Sequence, residues 1–397
     1  MARLTMTDAG RIYLDHNAGA PLRPRVAGLV CEVLTRTGNP SSVHGEGRAA
    51  RALVETARAQ VARLCGVPAS HVAFTSGATE ANVTALSPVW KAGRGERRFT
   101  HLLTCDTEHP SVIAGGRFPA AARELLPVDA GGIVDVAVLA ARVQALSEAG
   151  EMPLVAIQAA NSETGVLQPL AEIARVLDGT GAILHVDAVQ AAGRIGIDMA
   201  GWGAHSLALS AHKIGGPQGA GALVLRDAGL RPAPLLTGGG QENWNRAGTE
   251  NVAAIAGFGL AADLALAETG GWGEIAAFRD GLERALCHIW SDTVVFGAGV
   301  PRLANTCCFA VPGVSAETAL IALDLAGIAV SSGSACSSGK VGVSPVLLAM
   351  GVSADLARGA IRVSLGRDSG EGEIEGFLAA WRQISGRIRQ AGAGRAA

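Results

Sequence analysis

Five short apolar runs, at 102–105, 154–159, 183–187, 207–210 and 222–225, constrain the fold of this chain more than anything else in it. Segments of helical spacing accompany them; within 47–64, Val54, Ala57, Val61 and Leu64 recur on one face. A strand that is apolar on both faces needs cover on both, and helices supply it in a mainly parallel sheet, so an α/β fold is expected. With 397 residues the chain is too long for one small core, and two domains are expected. After about residue 260 the texture changes. Strand-like runs at 306–311, 328–331 and 361–365 precede a closing helix with Ile374, Phe377, Leu378, Trp381, Ile384 and Ile388 on one face. This part reads as a smaller α/β domain, its tail fraying after Gln390.

Composition removes several classes of function. A net charge of -2 argues against a nucleic-acid surface or a polybasic membrane anchor. Residues 1–10 hold no apolar core of the signal-peptide kind, and the most membrane-like stretch, 252–262, is too short to span and reads as a buried helix. Seven cysteines with no C-x-x-C pair give neither a disulfide framework nor a metal site, and point to a reducing cytoplasm. Cys307 and Cys308 are adjacent in a strand-like run, so they would face opposite ways, which favours packing over shared metal ligation.

Only three lysines occur, Lys91, Lys213 and Lys340. Lysine is the side chain that holds an aldehyde cofactor as a Schiff base. Lys213 alone follows an apolar strand, Leu207-Ala-Leu209, and precedes a Gly-rich turn and a further apolar run. It is the lysine expected to carry chemistry.

Other constellations gather around the same strands. Asp187 ends the run 183–187, and strand ends face the ligand crevice in open parallel sheets. Its carboxylate could pair with a protonated pyridine nitrogen or cap the next helix; Gln190 could bond a ring substituent. Phe74-Thr-Ser-Gly-Ala78-Thr79-Glu80 reads as strand, tight turn and helix start, either a phosphate site or an ordinary cap, and Ser210 and His212 could add phosphate contacts. His109 and Asn161 each follow a strand end, and His109 could stack on a flat ring or shuttle a proton. Cys336 lies in Ser331-Ser-Gly-Ser-Ala-Cys-Ser-Ser-Gly-Lys340, a hydrophilic stretch where packing explains a thiol poorly, so a reactive cysteine is expected there. Arg362 stands in an apolar strand and needs an anion, either a substrate carboxylate or a structural partner.

Together these segments resemble cysteine desulfurases of the NifS/IscS type, within the class V, fold-type I pyridoxal-phosphate enzymes. The resemblance rests on Tyr13-Leu-Asp-His-Asn-Ala18, Gly38-Asn-Pro-Ser-Ser42, Thr75-Ser-Gly-Ala-Thr-Glu80, Thr107-Glu-His109, Asn161, Asp187 to Gln190, Ser210 to Lys213, Arg246-Ala-Gly-Thr249, Ser331 to Cys336 and Arg362, in order from about residue 12 to 385. It implies a large domain at 16–260 with a mainly parallel seven-stranded sheet, and a small domain formed by 1–15 and 261–397 that carries a Cys336 loop of the family's longer kind. It implies pyridoxal 5'-phosphate linked to Lys213, with Asp187 on the pyridinium, His109 stacked on the ring and Gln190 at its phenolic oxygen. Ala78, Thr79, Ser210 and His212 would hold the phosphate, with Thr249 reaching the phosphate of a second subunit in a homodimer. Asn161 would touch cofactor and substrate, and Arg362 the substrate carboxylate. Cys336 would take the sulfur and meet an iron-sulfur cluster only transiently, with no resident metal.

Two departures stand out. The family usually reads Asn-Ala-Thr-Thr-Pro where this chain has Asn17-Ala-Gly-Ala-Pro21, and two family arginines are replaced within Glu242-Asn-Trp-Asn-Arg246. The expected reaction converts L-cysteine to L-alanine with a persulfide on Cys336, passed to an acceptor such as an iron-sulfur scaffold. His109 or the substrate-bound cofactor would activate the Cys336 thiol, whose ordinary pKa is about 8.5. A selenocysteine lyase or aminotransferase would need Lys213 and Asp187 but not Cys336; a non-catalytic sulfur relay would not need Lys213.

Overall fold

The computed structural model describes residues 10–333 and 342–396. At its centre lies a seven-stranded sheet. Its strands, in chain order, are β1 Val72–Thr75, β2 His101–Cys105, β3 Arg123–Leu126, β4 Pro153–Gln158, β5 Ile183–Asp187, β6 Ser206–Ser210 and β7 Gly221–Leu225. The spatial order is β1-β7-β6-β5-β4-β2-β3, and β7 alone is reversed. All five expected apolar runs are strands of this sheet.

Alternate residues of each strand enter different cores, as the pleat requires. Leu103, Val155, Ile157, Leu184, Val186, Leu207 and Leu209 join the helices Gly45–Cys65, Val136–Glu148, Leu170–Leu177 and Val252–Glu268 on one face. Leu102, Leu154, Ala156, Ile183 and Ala208 meet Ala81, Ala85, Trp90, Phe99 and Phe118 on the other. Two features escape the apolar pattern. Strand β3, Arg-Glu-Leu-Leu, is a largely exposed sheet edge, and a three-stranded sheet of Val89–Ala92, Gly95–Arg98 and Leu230–Pro232 is built from mixed sequence that includes Lys91.

A second core gathers Leu14, Ile275, Leu282, Leu286, Phe309, Ile361, Val363, Phe377 and Trp381. Its four-stranded sheet has the order Val294–Val295, Thr306–Ala310, Ile361–Ser364, Ser331–Ser332. Trp381 sits edge-on to Phe309 at 5.2 Å and stacks on Phe377. Cys307 faces this core while Cys308 faces a separate cluster with Phe296 and Leu347, the opposed orientation expected of neighbours in a strand. The run 328–331 divides: Ile328–Ala329 pairs with Ile12–Tyr13, and Ser331–Ser332 joins the four-stranded sheet.

The helix Val252–Glu268 continues past residue 260, with Ala261, Ala262 and Ala265 still in the first core. The run Val252–Ile289 is long and apolar enough to cross a membrane by length and composition, yet its first helix is largely buried in the protein, as the sequence suggested. The closing helix Glu371–Ala396 extends beyond Gln390, where fraying was expected.

Candidate active site

Strands β4, β5 and β6 are hydrogen-bonded neighbours, and their carboxyl-terminal residues Gln158, Asp187 and Ser210 line one cavity of about 770 Å³. The same cavity takes in Ala78, Thr79, His109, Gln190, His212, Lys213 and Arg362. Asn161 and Thr249 do not line it, and Cys336 lies outside the described residues.

Lys213 closes a single 3-10 turn, Ala211–Lys213, directly after β6. Gly215 follows at φ 79, and a Cβ there would meet the Arg23 side chain at 2.6 Å, so glycine suits the turn twice over. The Lys213 Nζ donates to the main-chain oxygens of Asn17 at 2.6 Å and Ala18 at 2.8 Å. Gln190 Nε2 donates to the same Asn17 oxygen at 3.0 Å, while Gln190 Oε1 accepts from Arg194 Nη1 at 2.7 Å. Arg194 thus fixes the amide with its donor end toward Asn17. Burial, and secondarily the charge of Arg362, pulls the Arg194 guanidinium down to about 10.

Asp187 caps a turn, since no helix follows it directly, and it also reaches the cavity wall. Its Oδ1 accepts from the Val189 N–H at 3.0 Å, a local cap, and its Oδ2 accepts from Asn82 Nδ2 at 2.8 Å on the cavity wall. His109 is the N-cap of the short helix Pro110–Ile113, its Nδ1 accepting from the Ser111 N–H at 3.1 Å. The ring proton therefore sits on Nε2. Burial lowers the His109 pKa; Asp187 opposes this and Lys213 adds to it, so the imidazole is neutral at pH 7.

The helix Ala78–Ala85 begins at Gly77 without a side-chain cap. Ala81 N donates to Gly77 O, so the N–H groups of Ala78 and Thr79 lie ahead of the helical ladder. The hydroxyls of Thr79 and Ser210 and the ring of His212 enter none of the hydrogen bonds among the described residues. Burial, reinforced by Lys213, lowers the His212 pKa to about 4. On β7, a Cβ at Gly221 would lie 2.5 Å from the Gly77 carbonyl carbon, so only glycine lets that strand pass behind the turn. The remaining acid there, Glu80, is engaged by Ser76 N at 2.8 Å and Arg246 Nε at 3.1 Å.

Arg362 is 2% exposed. Its Nη2 donates to Asp15 Oδ1 at 2.7 Å and its Nη1 to Ser162 O at 3.0 Å, while its buried Nε has no partner among the described residues. The structural ion pair of the sequence reading is present, and Arg362 also lines the cavity. Asn161 is spent inside the protein, its Oδ1 capping Glu163 N and Thr164 N and its Nδ2 donating to Thr107 O. Thr249 is exposed beside a separate pocket of about 210 Å³ with Ser76 and Arg246.

Sequence reading missed Asp15, Asn82, Ser111 and Arg194 as working parts. Asn82 was within reach, since it stands three residues after Thr79 and so shares its helix face. Arg194 and Ser111 act through neighbours, and nothing local in the sequence marks them.

The chain matches the family model Aminotransferase class-V over residues 12–377. It is 40% identical over 374 residues to a cysteine desulfurase of Cereibacter sphaeroides, covering 93% of this chain and 94% of that one. To cysteine desulfurase IscS 1 of Archaeoglobus fulgidus it is 36% identical over 385 residues, covering 95% and 97%. Among solved structures, a NifS-like protein from Rickettsia africae superposes with a TM-score of 0.84 at 34% identity, covering 94% of this chain and 99% of that one. With that likeness over nearly its whole length, and a lysine, an aspartate, a histidine and an arginine meeting in one cavity, the chain belongs to the class V aminotransferase family, as a cysteine desulfurase of the NifS/IscS type.

Proposed function

We propose that this chain converts L-cysteine to L-alanine using pyridoxal 5'-phosphate, and delivers the sulfur to Cys336 as a persulfide. The observation that carries the reading is the convergence of Lys213, Asp187, His109 and Arg362 on one cavity that also holds unengaged donors at a helix start. That donor set fits the cofactor. The leading N–H groups of helix Ala78–Ala85, with the Thr79 and Ser210 hydroxyls and His212, suit a phosphate. Asp187 suits a pyridine nitrogen, Gln190 a phenolic oxygen, and Lys213 an aldehyde. When bound, the cofactor supplies an aldehyde for the substrate amine and a ring that withdraws electrons from its Cα.

The chain's own groups do the rest. Lys213 Nζ holds and returns the Cα proton, and Arg362, which lines the cavity, takes the substrate carboxylate. A neutral His109 offers Nε2–H over the ring and takes up no proton of its own at pH 7. As the Cys336 thiolate forms its S–S bond with the substrate sulfur, the C–S bond breaks. The electron pair stays with carbon, which takes a proton and leaves as alanine. Asn161 holds the 161–164 turn rather than the cofactor, and Thr249 serves a second subunit in a homodimer.

The two apolar cores act as two domains, a larger one bearing the cavity and a smaller one bearing Arg362 and the segment that contains Cys336. The sulfur then passes to an acceptor protein, such as an iron-sulfur scaffold, in the cytoplasm. The test supplies purified protein with L-cysteine and measures alanine, sulfide and labelled persulfide together. Wild type is expected to give alanine and a persulfide on Cys336. Cys336→Ala should lose the persulfide and most turnover, and Lys213→Ala all alanine. A Cys336→Ala variant releasing sulfide at the wild-type rate would overturn the sulfur-acceptor role.

A further inference from the structure

A continuous chain of hydrogen bonds, buried except at its last link, runs from β6 to the ring of His109. Ser206 Oγ lies 2.8 Å from His185 Nδ1, and His185 Nε2 lies 2.9 Å from Asn82 Oδ1. Asn82 Nδ2 then donates to Asp187 Oδ2 at 2.8 Å and to Ser111 Oγ at 2.9 Å. Ser111 Oγ lies 2.8 Å from His109 Nδ1. Asn82 is 1% exposed, and His185 and Ser206 are fully buried.

The direction of every bond in this chain follows from one carboxylate. Turning the Asn82 amide over would set its oxygen against Asp187 Oδ2, so the NH2 must face Asp187 and Ser111. The Asn82 oxygen then needs a donor, and His185 must carry its proton on Nε2. Complete burial lowers the His185 pKa to about 3, so the ring has no second proton and Nδ1 accepts from the Ser206 hydroxyl. At the other end, Ser111 Oγ already accepts from Asn82, which commits its hydrogen to His109 Nδ1. The Ser111 N–H points to the same nitrogen.

We propose that Asn82, oriented by His185, is a positioning residue that holds the Asp187 carboxylate in the cavity and, through the Ser111 hydroxyl, reinforces the neutral Nε2–H form of His109 that the Ser111 N–H already favours. This deepens the cofactor reading above and rests on it for the roles of Asp187 and His109, though the hydrogen-bond relay itself is independent of any bound group. One small amide thereby ties the partner of the pyridine nitrogen to the imidazole over the ring, so neither turns without the other. The charged or titratable groups that face His109 are Asp187 and Lys213. Glu108, next in the chain, has its pKa driven well up by burial and accepts from Gln158 N at 2.7 Å.

The test is histidine nitrogen NMR on the full-length chain, free and loaded with pyridoxal phosphate. Wild type should show His109 protonated on Nε2 and titrating below an ordinary histidine. In Asn82→Leu the Ser111 hydroxyl is free to turn and accept from a protonated ring. The His109 midpoint should then rise by about one pH unit, and affinity for pyridoxal phosphate should fall about tenfold. Ser111→Ala should reproduce the His109 change with cofactor affinity altered less, and it decides the matter alone if Asn82→Leu does not fold. His185→Gln, whose amide can still donate to Asn82, should retain more affinity than His185→Leu. A His109 midpoint unchanged in folded Asn82→Leu or in Ser111→Ala would overturn the proposal. If the His109 result holds and wild type binds no pyridoxal phosphate, the relay stands and the cofactor reading falls.

Discussion

Arg362 Nη2 donates to Asp15 Oδ1 at 2.7 Å, joining the last strand of the second sheet to the loop that also supplies Asn17 and Ala18 to Lys213. The guanidinium is almost wholly buried, so Asp15 decides which of its nitrogens is left for an incoming carboxylate. Asp15→Asn keeps an acceptor and removes the charge. The expected result is a KM for L-cysteine about tenfold higher, with a smaller change in kcat. Asp15→Ala should also cost stability, about 2–3 kcal/mol, since it strands a buried cation whose partner was only partly exposed. Initial rates and urea midpoints check both, and an unchanged KM would remove Asp15 from substrate positioning.

Arg194 and Gln190 act as a pair. Arg194 bonds Gln190 Oε1 at 2.7 Å and Gln190 O at 2.8 Å, and so holds the amide rigid. Arg194→Met keeps the length and loses the donors. Pyridoxal-phosphate affinity, measured by equilibrium dialysis, is expected to fall about tenfold. Because Arg194 works through Gln190, Gln190→Ala should lower affinity comparably and the double variant should add little more. Additive losses would mean that the two act separately.

Glu163 gives the protein a pH signature of its own. Burial raises its carboxyl from 4.5 to about 7, against the opposing effects of the Ser344 hydrogen bond and Arg362. Between those values the folded chain keeps a proton that the unfolded chain has released. Stability from this group is therefore present at low pH and is lost as pH rises from 4.5 through 7. Glu163→Gln retains an acceptor for the Ser344 hydroxyl, which donates at 2.5 Å, and does not titrate. Relative to wild type, the variant should gain stability across this window, up to on the order of 3 kcal/mol above pH 7. Urea denaturation at pH 5, 6, 7 and 8 measures the difference, and a constant gap would count against it.

Much of this was legible because the physics is local. A lysine after a buried strand, an acid ending the strand before it and a glycine turn before a helix each carry their meaning within a few residues. Cavity lining by Lys213, Asp187, Thr79 and Arg362 follows from that. Asn161 shows the limit: its position after β4 resembles that of Asp187 after β5, yet its side chain turns inward to cap its own loop. Asp15, Asn82 and Arg194 matter through partners 347, 105 and 4 residues away, and the first two separations have no sequence signature. Strand β3 was hidden for a different reason, since a sheet edge needs cover on few of its side chains and so shows no apolar run.

The segment Glu242 to Trp244 is held by a buried pair. Glu242, 1% exposed in its side chain, bonds Arg58 Nη1 at 2.5 Å and Nη2 at 2.9 Å, and accepts from Phe74 N at 2.8 Å, while the guanidinium lies 5.0 Å from the Phe74 ring centre. From that anchor the backbone runs left-handed through three non-glycine residues, Glu242 at φ 49, Asn243 at φ 52 and Trp244 at φ 65. Such a run is costly for L residues, by roughly 1–2 kcal/mol each, so the Glu242 contacts must outweigh it. Glu242→Gln should therefore destabilise the protein by about 2 kcal/mol, by leaving buried Arg58 with only the half-exposed Glu55 as a charged partner. Trp244 is 65% exposed and has little packing to lose. Trp244→Gly should release the strain and stabilise the isolated chain by about 1 kcal/mol. Thermal melts of both variants read the two signs at once; a destabilised Trp244→Gly would mean that the indole, not the turn, holds this segment in place.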